Sequence, residues 1–92
     1  PVAIKRGDSR DVDGLASRAE VVKVLGDELP EGPFDTIGGF VVNELGRMPE
    51  VGDEVRWGRR VLRVRSLEGR RISWLRVTEE EEEPDGVQAE DG

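Results

Sequence analysis

The sequence contains no cysteine and no histidine. Without cysteine, the chain can form neither a disulfide framework nor a thiolate metal site. The commonest nucleophile, the commonest general base and the usual zinc ligands are therefore missing, which leaves few enzymatic mechanisms. The composition predicts a domain that is not an enzyme.

Long hydrophobic runs are also absent. The longest apolar stretch is a few residues, against the roughly 20 that an α-helix needs to cross a bilayer. The first residues lack the pattern of a signal peptide. The chain is therefore predicted to be soluble, and its start at Pro1 suggests a fragment of a longer protein, in which a membrane-spanning region would lie elsewhere.

Charge is distributed unevenly along the 92 residues, whose formal net charge is −7. Eight arginines lie between Arg56 and Arg76 with Glu68 as the only acid. Eight acids and no bases follow from Glu79 to the C-terminus. Five consecutive glutamates followed by proline and glycine cannot bury enough apolar surface to offset the ordering entropy. Residues 79–92 are therefore predicted to be a disordered acidic tail.

Capping signals predict two helices. Ser17 and Glu20 form a capping box, and Gly26 is placed as the stop of the first helix. Asp35–Thr36 offers caps for a second helix, which Gly46 should end. The predicted apolar positions of the first helix are Ala19, Val22 and Leu25, with Val21 at the margin. Those of the second, at helical spacing, are Ile37, Phe40, Val41, Leu45 and Met48.

After Val51 the apolar spacing approaches two, and turn residues divide the chain into three antiparallel strands at about 54–57, 60–67 and 70–78. Ile72 and Leu75 are three residues apart, so both are buried only if a bulge lies near Ser73–Trp74.

Residues 1–9 are interpreted as a linker. A short strand is predicted after it, near residues 11–13. The folded domain is predicted over residues 10–78, as an α+β fold in two layers. Two helices pack on a mainly antiparallel sheet that ends in a three-strand meander.

Several short motifs follow one another across residues 10–78. They are Asp13-Gly14, Thr36 with Gly38-Gly39, Gly46 with Pro49, Gly52-Asp53, and Gly69 with Ile72. Together they resemble the CorC/HlyC transporter-associated domain. The resemblance implies a cytoplasmic domain of haemolysin-like or magnesium and cobalt efflux membrane proteins, which follows a pair of CBS domains. It implies a regulatory role, in which docking to the CBS pair and transmembrane region modulates cation transport. It also implies similarity to an FAD-binding fold, and association of two copies is a further expectation.

The predicted interaction surface is the part of the sheet that carries two tryptophans among the arginines. Aromatic residues and arginine are enriched at interface centres. The alternative is a solvated sheet face whose arginine stems cover apolar surface. No nucleic-acid partner is predicted. The interface candidates are Trp57, Trp74, Arg63, Arg65 and Arg76.

A second hypothesis is a site for FAD or an adenine nucleotide at Gly38 and Gly39, completed by Arg63 and Arg65, because a helix start can bind an anion. The opposing interpretation is that these glycines let the helix pack closely on a strand, since the lysine of a phosphate loop is missing. No metal site is predicted, because the acidic run lacks the alternating ligands of a calcium loop. A third hypothesis is that the acidic tail folds back on the arginine-rich strands.

Overall fold

A computed structural model describes residues 6–80 of the chain, with the side chains of residues 9–79. Its elements form an antiparallel sheet of four strands in the order β1-β4-β3-β2, with two helices packed on one face. This confirms the predicted α+β fold and its C-terminal meander. The elements are β1 (Arg6–Asp13), α1 (Arg18–Leu25), α2 (Ile37–Leu45), β2 (Glu54–Trp57), β3 (Arg60–Glu68) and β4 (Arg71–Glu80).

The helix ends lie where the capping signals predict them. The Ser17 hydroxyl accepts a hydrogen bond from the Glu20 amide at 3.2 Å, and the Glu20 carboxylate accepts one from the Ser17 amide at 2.9 Å. Thr36 caps α2. Gly26 and Gly46 end the two helices with φ of 77° and 68°, the left-handed conformation that glycine adopts without strain.

The predicted buried face of α1 is wrong. Val21 is fully buried, whereas Ala19 and Val22 are exposed and Leu25 is partly buried. The helix is rotated because Arg18, one turn before Val21, points inward to the loop that follows α1. Three-residue spacing alone cannot distinguish these two rotations of a short helix.

The core lies between the helices and the sheet. Every apolar position predicted for α2 is buried or partly buried except Met48, which is 53% exposed because the helix ends at Leu45. Ile72 and Leu75 are both buried, and the register between β3 and β4 shifts on either side of Ser66, opposite Ser73–Trp74. The predicted bulge is therefore confirmed.

Both ends of the sheet extend beyond their predicted limits. β1 begins at Arg6, so residues 6–9 belong to a strand rather than to a linker. β4 continues to Glu80, so residues 79–80 belong to the sheet rather than to the tail. These residues pair with each other, as Arg6 lies opposite Glu80. The rest of the predicted linker and tail, residues 1–5 and 81–92, falls outside the described part of the chain.

Candidate interaction surface

One face of the sheet is covered by the helices and the other is left open. Side chains alternate along the strands, so buried Leu62, Val64, Leu75 and Val77 point to the helices while the residues between them point away. We call this second side the open face. Its main side chains are Asp11, Glu54, Arg56, Arg63, Arg65, Trp74 and Arg76.

A row of four charges crosses the open face, one from each strand. In register, Asp11 lies opposite Arg76, Arg76 opposite Arg63, and Arg63 opposite Glu54. Two arginines directly opposite each other destabilise a sheet. Here each has a flanking acid: Arg76 donates to Asp11 at 2.8 Å and Arg63 to Glu54 at 3.1 Å.

Asp11 serves two arginines. Besides Arg76, its carboxylate accepts from Arg65 at 3.4 Å. The hydrogen bond from Arg76, with the positive charge of both guanidinium groups, lowers the pKa of Asp11 below its usual range. The three arginines Arg63, Arg65 and Arg76 thus share two carboxylates, which leaves this part of the face with a positive charge.

Trp74 is the one aromatic side chain that the fold leaves exposed. Phe34 and Phe40 are buried, whereas 46% of Trp74 is accessible. It lines a shallow depression together with Asp11, Arg65 and Ser66. A large apolar ring beside an arginine on an otherwise charged surface is the composition of an interface centre.

Trp57 does not belong to this surface, which corrects the predicted grouping of the two tryptophans. Two residues after buried Val55, Trp57 points to the helical side of the sheet. Its ring centroid lies 5.7 Å from that of Phe40, and the Arg60 guanidinium lies 4.7 Å from the ring centroid. Of the predicted interface residues, the structure brings Trp74, Arg63, Arg65 and Arg76 together.

The predicted nucleotide site is not assembled either. Gly38 donates its amide to the Gly14 carbonyl at 2.9 Å, and Gly39 donates to the Thr36 hydroxyl at 3.0 Å. The first-turn donors that would bind a phosphate are therefore engaged. The two glycines also lie in the helical layer, across the sheet from Arg63 and Arg65, so the four residues do not share a site. Close packing of the helix is the interpretation that the structure supports.

Two arginines that sequence reasoning missed organise the helical side. Arg18 donates to the carbonyls of Leu29, Gly32 and Phe34. Arg60, whose side chain is 15% exposed, donates to the Leu25 carbonyl and forms ion pairs with Asp27 and Glu79. Their partners lie at least 11 positions away in sequence, so no local pattern marks them.

The described part of the chain was also compared with what a metal site and a membrane-spanning helix require. Residues 9–79, whose side chains the structure describes, contain no group of three or more carboxylates placed to hold a metal ion. In the same range, neither helix is long and apolar enough to cross a membrane.

Acid should weaken the fold through Asp11 and Asp53. The Asp53 pKa is lowered by hydrogen bonds from Arg47 and from the Glu50 amide. A carboxyl with a depressed folded pKa contributes stability above its unfolded pKa of about 3.9, and this stability is lost as the pH falls through the folded pKa. We expect the urea midpoint to drop between neutral pH and the acid range below that value. The double variant Asp11→Asn, Asp53→Asn should lose part of this drop; an unchanged drop would contradict the assignment.

The chain is similar in sequence to a known protein family and to a curated protein. The family model CorC_HlyC, described as a transporter associated domain, matches residues 4–81. The UPF0053 protein MT1890 of Mycobacterium tuberculosis is 32% identical, over 84% of this chain and 20% of that protein. The chain therefore spans about a fifth of the length of this relative.

Solved structures share the fold. A CorC_HlyC domain from Haemophilus ducreyi is 26% identical with a TM-score of 0.69, over 82% of this chain and 100% of that one. The corresponding domain of a Xylella fastidiosa hemolysin, solved in complex with Mg²⁺ and Mn²⁺, is 30% identical with a TM-score of 0.68, over 77% and 86% of the two chains.

Proposed function

Because this chain belongs to the CorC/HlyC family of transporter-associated domains, we propose that it is a non-catalytic docking module that regulates the transport protein of which it forms part. The family supplies the association with transporters. The regulatory role, the docking and the cytoplasmic position are our proposal.

The observation that carries the proposal is the open face. A sheet with one face on a core leaves the other to solvent or to a partner. On this face a tryptophan that is 46% exposed lies in a depression with Arg65. Burying such a ring in a partner removes apolar surface from water, at about 25 cal/mol per Å². Trp74 is therefore the proposed anchor, and Arg63, Arg65 and Arg76 provide the charged surroundings.

The proposed partners are neighbouring domains of the parent protein, a CBS-domain pair and the transmembrane region. A partner surface that complements the open face would offer an apolar pocket for Trp74 and acidic residues around it. Docking that differs between two states of the transporter shifts their populations by its differential free energy. Regulation follows without any chemistry in this domain.

The proposed transported ions are divalent cations such as Mg²⁺. Support comes from the Xylella fastidiosa relative that was solved with Mg²⁺ and Mn²⁺. We place the transported ion in the transport region of the parent rather than on the open face. There the arginines outnumber the acids, and a positive surface repels a cation.

We further propose that the domain works without a bound cofactor, since the α2 amides that would face a phosphate are already engaged. The purified protein should be colourless, with the ultraviolet spectrum expected from its tryptophans. A yellow protein, or excess absorbance typical of adenine, would contradict this part of the proposal.

Replacing Trp74 with alanine in the parent protein should change its transport rate. Loss of an interface anchor of this kind costs about 2 kcal/mol or more, enough to shift a balanced two-state equilibrium about thirtyfold. The measurement is Mg²⁺ flux into liposomes that contain the reconstituted parent.

Met48→Ala is the matched control for this experiment, because Met48 is 53% exposed but lies at the end of the helical layer. We expect wild-type flux from the control and a severalfold change from Trp74→Ala. Equal flux from both variants and the wild type would argue against docking through the open face.

A further inference from the structure

The two layers of this domain carry opposite charge. Residues 14–53, which form the helices and their connections, contain eight acids and three bases. Residues 54–80, which form the meander, contain eight arginines and four acids. An acidic peptide is therefore repelled by the helical side and attracted to the sheet, over a range set by the Debye length of about 8 Å at physiological salt.

An acidic peptide is covalently attached to this sheet. Residues 81–92 contain six acids and no base. They follow β4, which lies between β1 and β3 inside the sheet rather than at its edge. Glu79 points to the helical side of the sheet, where it pairs with Arg60 at 3.1 Å, so it does not neutralise the arginines of the open face. The segment thus begins beside the arginine-rich strands.

The segment is long enough to cover the open face. From Glu80 back to Trp74 is six residues of strand, which is about 20 Å at 3.3 Å per residue. Residues 81–92 can extend over roughly 40 Å. A chain that reverses after Glu80 therefore passes Arg76 and Arg63 and reaches the depression at Trp74.

We propose that the acidic segment 81–92 docks on the open face of its own sheet, where its carboxylates meet Arg63, Arg65 and Arg76. Because it is tethered, its effective concentration at the face is in the millimolar range, so individually weak ion pairs suffice for occupancy. Any partner of the open face has to displace it. The inference concerns this chain alone and does not depend on the partner proposed above.

A spin label on the segment tests the contact in the full 92-residue chain. The protein has no cysteine, so Gln88→Cys provides a single labelling site. The indole N–H signals of the two tryptophans report on opposite faces of the sheet. Trp57 packs on Arg60, near the point where β4 ends, whereas Trp74 is far from it along the strand. If the segment does not dock, the spin label therefore broadens the indole signal of Trp57 more than that of Trp74.

At low salt we expect the opposite result: the spin label broadens the indole signal of Trp74 more than that of Trp57, so that Trp74 loses most of its signal. In about 1 M NaCl, where the Debye length is about 3 Å, the order should return to that of a free segment. A labelled chain with Glu81→Gln, Glu82→Gln, Glu83→Gln and Asp85→Asn should give the free-segment order at every salt concentration.

Two results would overturn the inference. One is stronger broadening of Trp57 than of Trp74 at low salt in the labelled chain without the amide substitutions. The other is broadening of Trp74 in a mixture of unlabelled ¹⁵N-protein with spin-labelled ¹⁴N-protein, which would assign the contact to a second copy. Both are independent of transport, so they leave the proposed function to its own test.

Discussion

Replacing Gly38 with alanine is expected to destabilise the domain by about 2–3 kcal/mol, although alanine is the better helix former. A Cβ at this position would lie 2.6 Å from the Gly14 carbonyl oxygen. That carbonyl cannot retreat easily, because the Gly14 amide donates to the Ser73 carbonyl at 2.9 Å. Overpacking of this kind costs about 1–3 kcal/mol. The hydrogen bond from Gly38 to Gly14 is lost in addition, against a gain in helix propensity of about 0.5–1 kcal/mol.

Gly39→Ala is the matched control, since it brings the same gain in propensity to the same helix turn. Its Cβ would meet the Phe34 Cβ at 3.1 Å and the Thr36 hydroxyl at 3.2 Å, contacts that a shift of a few tenths of an ångström in the loop before α2 relieves. We expect a change within about 1 kcal/mol of wild type. Urea unfolding followed by circular dichroism measures both. Similar losses in the two variants would contradict the close approach of α2 to Gly14.

Replacing Arg18 with alanine is expected to cost about 3 kcal/mol. Its guanidinium donates to the Leu29 carbonyl at 3.2 Å and to the Phe34 carbonyl at 3.1 Å, and it lies 4.9 Å from the centroid of the Phe34 ring. Hydrogen bonds from a charged group contribute about 1.5–3 kcal/mol, and removing the donor leaves partly buried carbonyls without a partner. The loop between the helices should lose its fixed conformation first.

Arg10→Ala provides the comparison, because Arg10 is exposed and donates to a single carbonyl, that of Val24. We expect a loss below about 1 kcal/mol there. Hydrogen exchange of the amides between residues 27 and 35 gives a second measurement, and it should accelerate in Arg18→Ala alone. Equal stability of the two variants would show that the hydrogen bonds from Arg18 do not stabilise the loop between the helices.

Local signals in the sequence determine where the elements start and stop. The Ser17 hydroxyl and the Glu20 carboxylate satisfy helix-end amides within four residues of chain, and Gly26 and Gly46 end helices through their own φ. Such effects are encoded over a few positions, so pattern reasoning found both helices and all three strands of the meander. The bulge was predictable for the same reason, because Ile72 and Leu75 violate a period of two.

Contacts between distant segments could not be predicted in this way. Trp57 and Trp74 both lie in arginine-rich strands, but they point to opposite faces of the sheet. Trp57 lies two positions from buried Val55 and so shares its face, whereas Trp74 is adjacent to buried Leu75 and points the other way. The rotation of α1 depends on the carbonyls to which Arg18 donates hydrogen bonds, which lie more than ten residues later in the chain. The candidate site was therefore half right: its arginines and Trp74 share a face, while Trp57 and the two glycines belong to the packing on the other side.

The most direct test of docking through the open face is the chemical accessibility of Trp74 in the intact parent protein. Oxidative footprinting compares each tryptophan in the parent with the same tryptophan in the 92-residue chain. Both proteins carry Glu81→Gln, Glu82→Gln, Glu83→Gln and Asp85→Asn, so that segment 81–92 does not cover Trp74. Trp57 serves as the internal reference because the fold itself shields it. Our account predicts that Trp74 is oxidised severalfold more slowly in the parent, while Trp57 reacts equally in both. Equal rates for Trp74 in the two proteins would contradict it.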